Sequence, residues 1–168
     1  FMGFSLSLVG WTAELQVGEK APSFALPDAF GKMYTLDSAE FEKKVMVVFY
    51  VDPEKKKWNK HVEKALAENK EIDHGNNYIG LYVSNLKASK APDIAIKRAM
   101  QNKQENTDAL VLLDKNYALV KLWGLKNHSS DVVVLDKSKI CRYKYSGQLP
   151  PEEVEKVIEI IKEYQFQW

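Results

Sequence analysis

A chain of 168 residues with 45% hydrophobic content has enough apolar material for one full core and fits a single domain. Its net charge of +1, with basic residues spread along the chain, gives no general attraction to nucleic acid or anionic lipid. One cysteine excludes an internal disulfide and a multi-cysteine metal cluster within these residues, and no apolar run approaches the ~20 residues of a membrane span.

The first stretch, Phe1 to Trp11, is apolar but lacks a basic leader region. Three readings compete: a clipped signal-peptide remnant, an added extension, or a native β-strand in which Ser5 and Ser7 alternate with Leu6 and Leu8. Residues 1–14 are therefore set apart as an N-terminal extension or signal remnant, and 15–168 as the domain. Phe24 to Leu26 and Lys32 to Leu36 read as short extended pieces around the turn Pro27-Asp-Ala-Phe-Gly31, an N-terminal β-hairpin. Asp37 or Ser38 can cap a single helical turn through Phe41.

Val45 to Val51 supplies seven apolar residues without alternation, the pattern of a strand buried on both faces. Asp52 follows as a helix cap with Pro53 in the first turn, and Trp58, Val62, Ala65 and Leu66 form a helical stripe reaching to about Lys70. Such a strand-to-helix turn presents free N–H groups and a positive dipole end. Here it holds no cysteine, serine, histidine or glycine-rich loop.

After the turn cluster Asp73 to Asn77, Tyr78 to Val83 is a second strand. Pro92 opens a helix with Ile96, Ala99 and Met100 on its apolar face, and Ala109 to Leu113 is a third buried strand. Tyr117 to Trp123 is a short helix closed by Gly124. Val132 to Leu135, the turn Asp136 to Lys139, and Ile140 to Tyr145 make a hairpin, with Cys141, Tyr143 and Tyr145 expected on one face and Arg142 and Lys144 on the other. Pro151 opens the last helix, whose Val154, Val157, Ile158, Ile161 and Tyr164 fall on one side. Trp11, Phe166 and Trp168 are aromatic residues in terminal segments, free to pack on the domain or on a neighbour.

The order of these elements, with Val17-Gly-Glu-Lys-Ala-Pro-Ser-Phe-Ala-Leu-Pro-Asp28 at the start and Val132-Val-Val-Leu-Asp-Lys137 plus Gly147-Gln-Leu-Pro-Pro-Glu-Glu153 at the end, resembles the thioredoxin-like superfamily. The likeness is to its peroxiredoxin and TlpA-like branch, the alkyl hydroperoxide reductase/thiol-specific antioxidant type, and covers roughly Leu15 to Tyr164. Ser129-Ser-Asp-Val-Val-Val-Leu-Asp136 and the run from Leu112 to Trp123 are most similar to the YtfJ type of periplasmic protein, which lacks the redox cysteines. The resemblance implies an α/β thioredoxin-like fold, a central mixed sheet flanked by helices with an added N-terminal β-hairpin. It also implies an exported, periplasmic protein without an assigned activity.

On that resemblance, the dithiol register falls on Glu54-Lys55-Lys56-Lys57, and the peroxiredoxin register counted from Pro53 puts Lys57 at the threonine and Lys60 at the peroxidatic cysteine. None of these side chains supplies a thiolate. Asp52, Pro53, Glu54, Lys57 and Lys60 are thus expected to form a degenerate active-site turn, with Ser130 and Asp131 where the superfamily places a proline, usually cis. Lys55 to Lys57 with Lys60 is also the densest basic cluster: a solvated face on the plain reading, an acceptor for an acidic partner or anion on the functional one.

Two chemical alternatives stay open. Cys141 is either a small half-buried apolar residue or the thiol of a one-cysteine oxidoreductase. His128-Ser129 matches a pair found in copper-handling Sco-type proteins, so His128 with His61 is a weak metal-site candidate that needs a third ligand such as Glu54 or Asp131. The leading expectation is a redox-inactive binding module with a protein partner, no nucleic acid and no cofactor.

Overall fold

In the computed structural model, residues 14–107 and 109–167 are described; the N-terminal strand reading, Trp11 and Trp168 lie outside them. The chain forms β1 (Ala25–Pro27), β2 (Met33–Thr35), β3 (Val45–Val51), α1 (Lys60–Glu68), β4 (Tyr78–Asn85), α2 (Asp93–Asn106), β5 (Leu110–Asp114), α3 (Ala118–Trp123), β6 (Ser130–Leu135), β7 (Cys141–Ser146) and α4 (Pro151–Tyr164). The main sheet has the order β5-β4-β3-β6-β7, with β3, β4 and β5 parallel and β6 and β7 antiparallel to their neighbours. β1 and β2 form the separate N-terminal pair.

β3 is central, and all seven of its residues are buried. Its side chains alternate between two cores because successive Cβ atoms leave opposite faces of a strand. Val45, Val47, Phe49 and Val51 enter one core with Val62 and Leu66 of α1, Ile96 and Met100 of α2, and Val157, Ile158 and Ile161 of α4. Met46, Val48 and Tyr50 enter the other with Leu119 and Trp123 of α3 and Leu26 and Tyr34 of the N-terminal pair. That pair is stitched to the main sheet by the bridge from Asp28 to Leu112, while Lys20 bridges to Ile140.

Two expectations need correction. The helix expected directly after Asp52 begins only at Lys60; Pro53–Lys55 is a single 3-10 turn, for which Asp52 is the cap. Asn59 interrupts the helix because its backbone is non-helical (φ −116°, ψ 22°) while its side chain reaches across to other elements. The hairpin parity also fails at Cys141. Leu135 pairs with Cys141 and Val134 with Tyr143, so Arg142 is an extra residue at a bulge. Cys141 therefore joins the core of Trp123, while Tyr143 joins that of α4. Lys144 ends on the Cys141 side, donating to the carbonyls of Leu15 (3.2 Å) and Trp123 (3.1 Å).

Asp114, fully buried at the end of β5, ties the two sides of this second core together. It accepts from the backbone N–H groups of Asn116, Ala118 and Leu119 at 2.9–3.1 Å, which caps α3, and from the Tyr50 hydroxyl at 2.9 Å. Burial, reinforced by Asp114, pushes the Tyr50 phenol far above its ordinary range, so it remains a neutral donor. At the other end of α3, Gly124 is left-handed (φ +66°), and a Cβ there would stand 2.7 Å from Cγ of Glu14. Asp114→Ala is expected to lower stability by about 3 kcal/mol, since it strands a buried phenol and removes a helix cap; urea unfolding followed by tryptophan fluorescence measures the loss.

Candidate functional site

β3 ends at Val51 and delivers Asp52 to the edge of the sheet. Asp52 is buried; its Oδ1 accepts from the Glu54 N–H at 2.9 Å, and its Oδ2 lies 3.2 Å from Nδ1 of His128. The His128 side chain is 64% exposed. Its backbone is left-handed (φ 52°), a conformation that costs a non-glycine residue roughly 1 kcal/mol. Glu54, Lys56, Lys57 and Lys60 are exposed, and Lys55 lies over the Trp58 ring at 4.9 Å. Glu54 reaches the loop before α2, where its Oε1 accepts from the Lys90 N–H at 3.3 Å.

Ser130 and Asp131 begin β6 opposite Val51 and Tyr50. The adjoining backbone is held by the Asp52 N–H, which donates to the Ser129 carbonyl at 2.9 Å. Asp131 is completely buried and fully engaged: Ser129 Oγ donates to one oxygen at 2.7 Å, and the Lys126 N–H (2.7 Å) and Ser146 Oγ (3.0 Å) donate to the other. A carboxylate holding three donors is an anchor for the surrounding loops.

Asn59 joins these pieces. Its buried amide donates to the carbonyl and hydroxyl of Ser130, both at 2.9 Å, and to the Gly147 carbonyl at 3.0 Å. Its carbonyl accepts from the Leu149 N–H at 2.9 Å. One side chain thus fastens the turn, the start of β6 and the approach to α4. Sequence reasoning missed it. Asn before an apolar stripe signals a helix cap, yet Asn59 makes no cap bond and spends its amide on residues 71 to 90 positions away.

The remaining candidates do not converge. His61 is turned towards α4, with Nε2 2.9 Å from the Leu149 carbonyl. His128 faces Asp52 instead, and no group of three potential metal-ligating side chains gathers among the described residues. Cys141 pairs with Leu135 at the far end of β6, five residues or roughly 17 Å from Ser130 along the strand. It is completely buried, its Sγ donates to the Tyr143 carbonyl at 3.5 Å, and burial pushes the thiol pKa up despite the cation of Lys144. Phe166, just past α4, is exposed.

A central strand ending in a capped turn, facing the start of an antiparallel strand and flanked by helices on both faces, is the arrangement of a thioredoxin-like protein. The thioredoxin domain of a thiol-disulfide oxidoreductase from Bacteroides vulgatus superimposes with a TM-score of 0.63 at 14% identity, over 88% of this chain and 98% of that one. A peroxiredoxin-like protein from Aquifex aeolicus gives 0.61 at 19% identity, over 88% and 89%. The pneumococcal exposed lipoprotein thioredoxin of Streptococcus pneumoniae strain TIGR4 gives 0.60 at 17% identity, over 84% and 99%.

Within this class the chain belongs to the family described as "Bacterial protein of unknown function (YtfJ_HI0045)", whose family model matches residues 32–164. An uncharacterized protein of Haemophilus influenzae is 33% identical over 63 residues, 38% of this chain and 34% of that protein, so the match spans about a third of the relative's length. Among the described residues, no helix is long and apolar enough to cross a membrane.

The turn is thus held by buried polar bonds and not by its lysines. Asn59→Ala is expected to cost about 2–4 kcal/mol, because several buried polar groups lose their partner. Joint replacement of Lys55, Lys56 and Lys57 by glutamine is expected to cost less than about 0.5 kcal/mol per site. Denaturant midpoints for the two variants check the contrast.

Proposed function

We infer that this chain is a redox-inactive thioredoxin-like module that works by binding a protein partner in the periplasm. The domain is taken as 15–168, with 1–14 as an extension or signal remnant. One observation carries the reading: the chain's single cysteine lies buried at the far end of β6, while the turn where the superfamily keeps its thiols is Glu54-Lys55-Lys56-Lys57. Asp52, Pro53, Glu54, Lys57 and Lys60 are the degenerate counterpart of the active-site turn, and Ser130 and Asp131 stand at the proline position. A dithiol cycle needs two accessible thiols within bonding distance, and this chain contains a single thiol, which is buried.

Binding at this edge has physical support. Exposed lysines sit beside a polar framework that fixes their backbone, and Ile94, in the first turn of α2 shortly after Lys90, is 82% exposed. Exposed lysines and an exposed apolar side chain suit an acidic protein surface. The periplasmic assignment rests on the resemblance to YtfJ-type proteins, and one structural neighbour is itself named an exposed lipoprotein.

The alternatives each lack a working part. A one-cysteine oxidoreductase needs an accessible thiolate of lowered pKa, whereas the Cys141 thiol is buried and shifted upward. A metal site on His128 or His61 needs a converging third ligand.

Insulin-disulfide and peroxide reduction assays on the intact chain are expected to run no faster than with Cys141→Ser. Turnover well above that variant overturns the inference. Alkylation of Cys141 by iodoacetamide near neutral pH is expected only once denaturant is added, as read by intact mass.

A further inference from the structure

A cavity of about 510 Å³ lies between α1 and α2 over the middle of β4, with Lys60 at its mouth. Small-molecule sites occupy roughly 300–1,000 Å³. Its floor is the sheet face that carries Phe49, Tyr78, Gly80 and Tyr82. Its walls come from α1, through Lys60 and Lys64 among others, and from Lys103 of α2.

Gly80 is the informative residue. Its backbone lies outside the left-handed region, so no dihedral demands glycine there. A Cβ on it would meet only the end of the Tyr78 side chain, 3.3 Å away at the hydroxyl. Glycine inside a strand weakens it and marks places where another molecule comes close. What Gly80 provides is room for the end of the Tyr78 ring to lie low across the floor beside Tyr82.

Among the described residues, the charged side chains lining that space are Lys60, Lys64 and Lys103 against Glu63, an excess of positive charge. Lys103 is largely covered, with Nζ 3.3 Å from Glu63 and 3.4 Å from the centre of the Tyr82 ring. Glu63 is thereby already neutralised, which leaves Lys60 and Lys64 in excess at the mouth. Lys64 meets only the exposed Glu68 at 3.9 Å, and Lys60 has no ion-pair partner among the described residues. Burial pushes the phenols of Tyr78 and Tyr82 well above their ordinary range, which keeps both as neutral hydrogen-bond donors. Neither hydroxyl has an acceptor among the described residues.

The geometry points to a binding site for a small organic anion: a flat apolar or aromatic body lying over the floor at Gly80 against Tyr78, Tyr82 and Phe49, with its carboxylate towards Lys60 and Lys64 at the mouth. A cation would be repelled at the mouth, and a neutral apolar ligand would leave the ammonium groups unused. This site shares Lys60 with the turn at the protein-binding edge, but its other lining residues lie outside that turn and it does not depend on the protein-binding reading.

The test uses the intact chain and 1-naphthoate, with calorimetry for affinity and amide shift mapping for location. Saturable 1:1 binding is expected, with shifts concentrated in 60–67 and 78–82, and with neutral 1-naphthamide held at least about 10-fold more weakly. Gly80→Val fills the floor with a residue suited to strands and should weaken 1-naphthoate at least about 10-fold. Lys60→Gln with Lys64→Gln alters exposed positions only, so it folds even where Gly80→Val does not. It should weaken binding about 3- to 10-fold and flatten its salt dependence. Equal affinity for the amide, shifts scattered away from α1 and β4, insensitivity to the paired lysine changes, or no binding at millimolar ligand would each overturn the assignment.

Discussion

The structure depends on the complete burial of β3. A strand with seven apolar residues and no solvent face must be covered on both sides, so the chain has to build two cores rather than one. α1, α2 and α4 cover one side; α3 and the N-terminal pair cover the other. Each side chain of Val, Phe or Tyr size contributes roughly 1.5–3 kcal/mol when fully buried, so the strand alone outweighs any set of surface ion pairs at about 0–1 kcal/mol each. The candidate turn is attached to the end of this fully buried strand.

What occupies that edge is a framework of buried polar bonds. Asp52, Asp131 and Asn59 have their hydrogen-bonding groups engaged by neighbouring loops, and together they position the turn, the start of β6 and the approach to α4. Buried bonds of this kind are expensive to break, because the stranded partner cannot turn to water. Lys56, Lys57 and Lys60 on the turn are the opposite case: exposed, screened and individually weak. The proposed recognition of a protein partner rests on these charged side chains and the backbone fixed beneath them.

The cavity between α1 and α2 follows from the same architecture. α1 contacts α4 and α2 contacts β5, and the cavity lies between these two helices over β4. A larger residue at position 80 would close the gap. Gly80 leaves it open, and the Lys103 bridge to Glu63 spans it.

The chain's pattern by itself determined the strands, the helices and their order, since these follow from local apolar periodicity and from caps at Asp52, Pro92, Gly124 and Pro151. The absence of thiols in the turn was equally plain, because it needs only residue identity and register. Two features escaped because they depend on partners in other elements. Asn59 ends its turn through bonds to Ser130, Gly147 and Leu149, and nothing within a few residues of it announces them. The bulge at Arg142 moves Cys141 to the other face, and it is visible only once β7 is laid against β6. Gly80 likewise reads as an ordinary weak spot in a strand until the helices are placed. Local physics sets which segments form, but which side chains meet across 40 to 90 residues is decided by how the two cores close on β3.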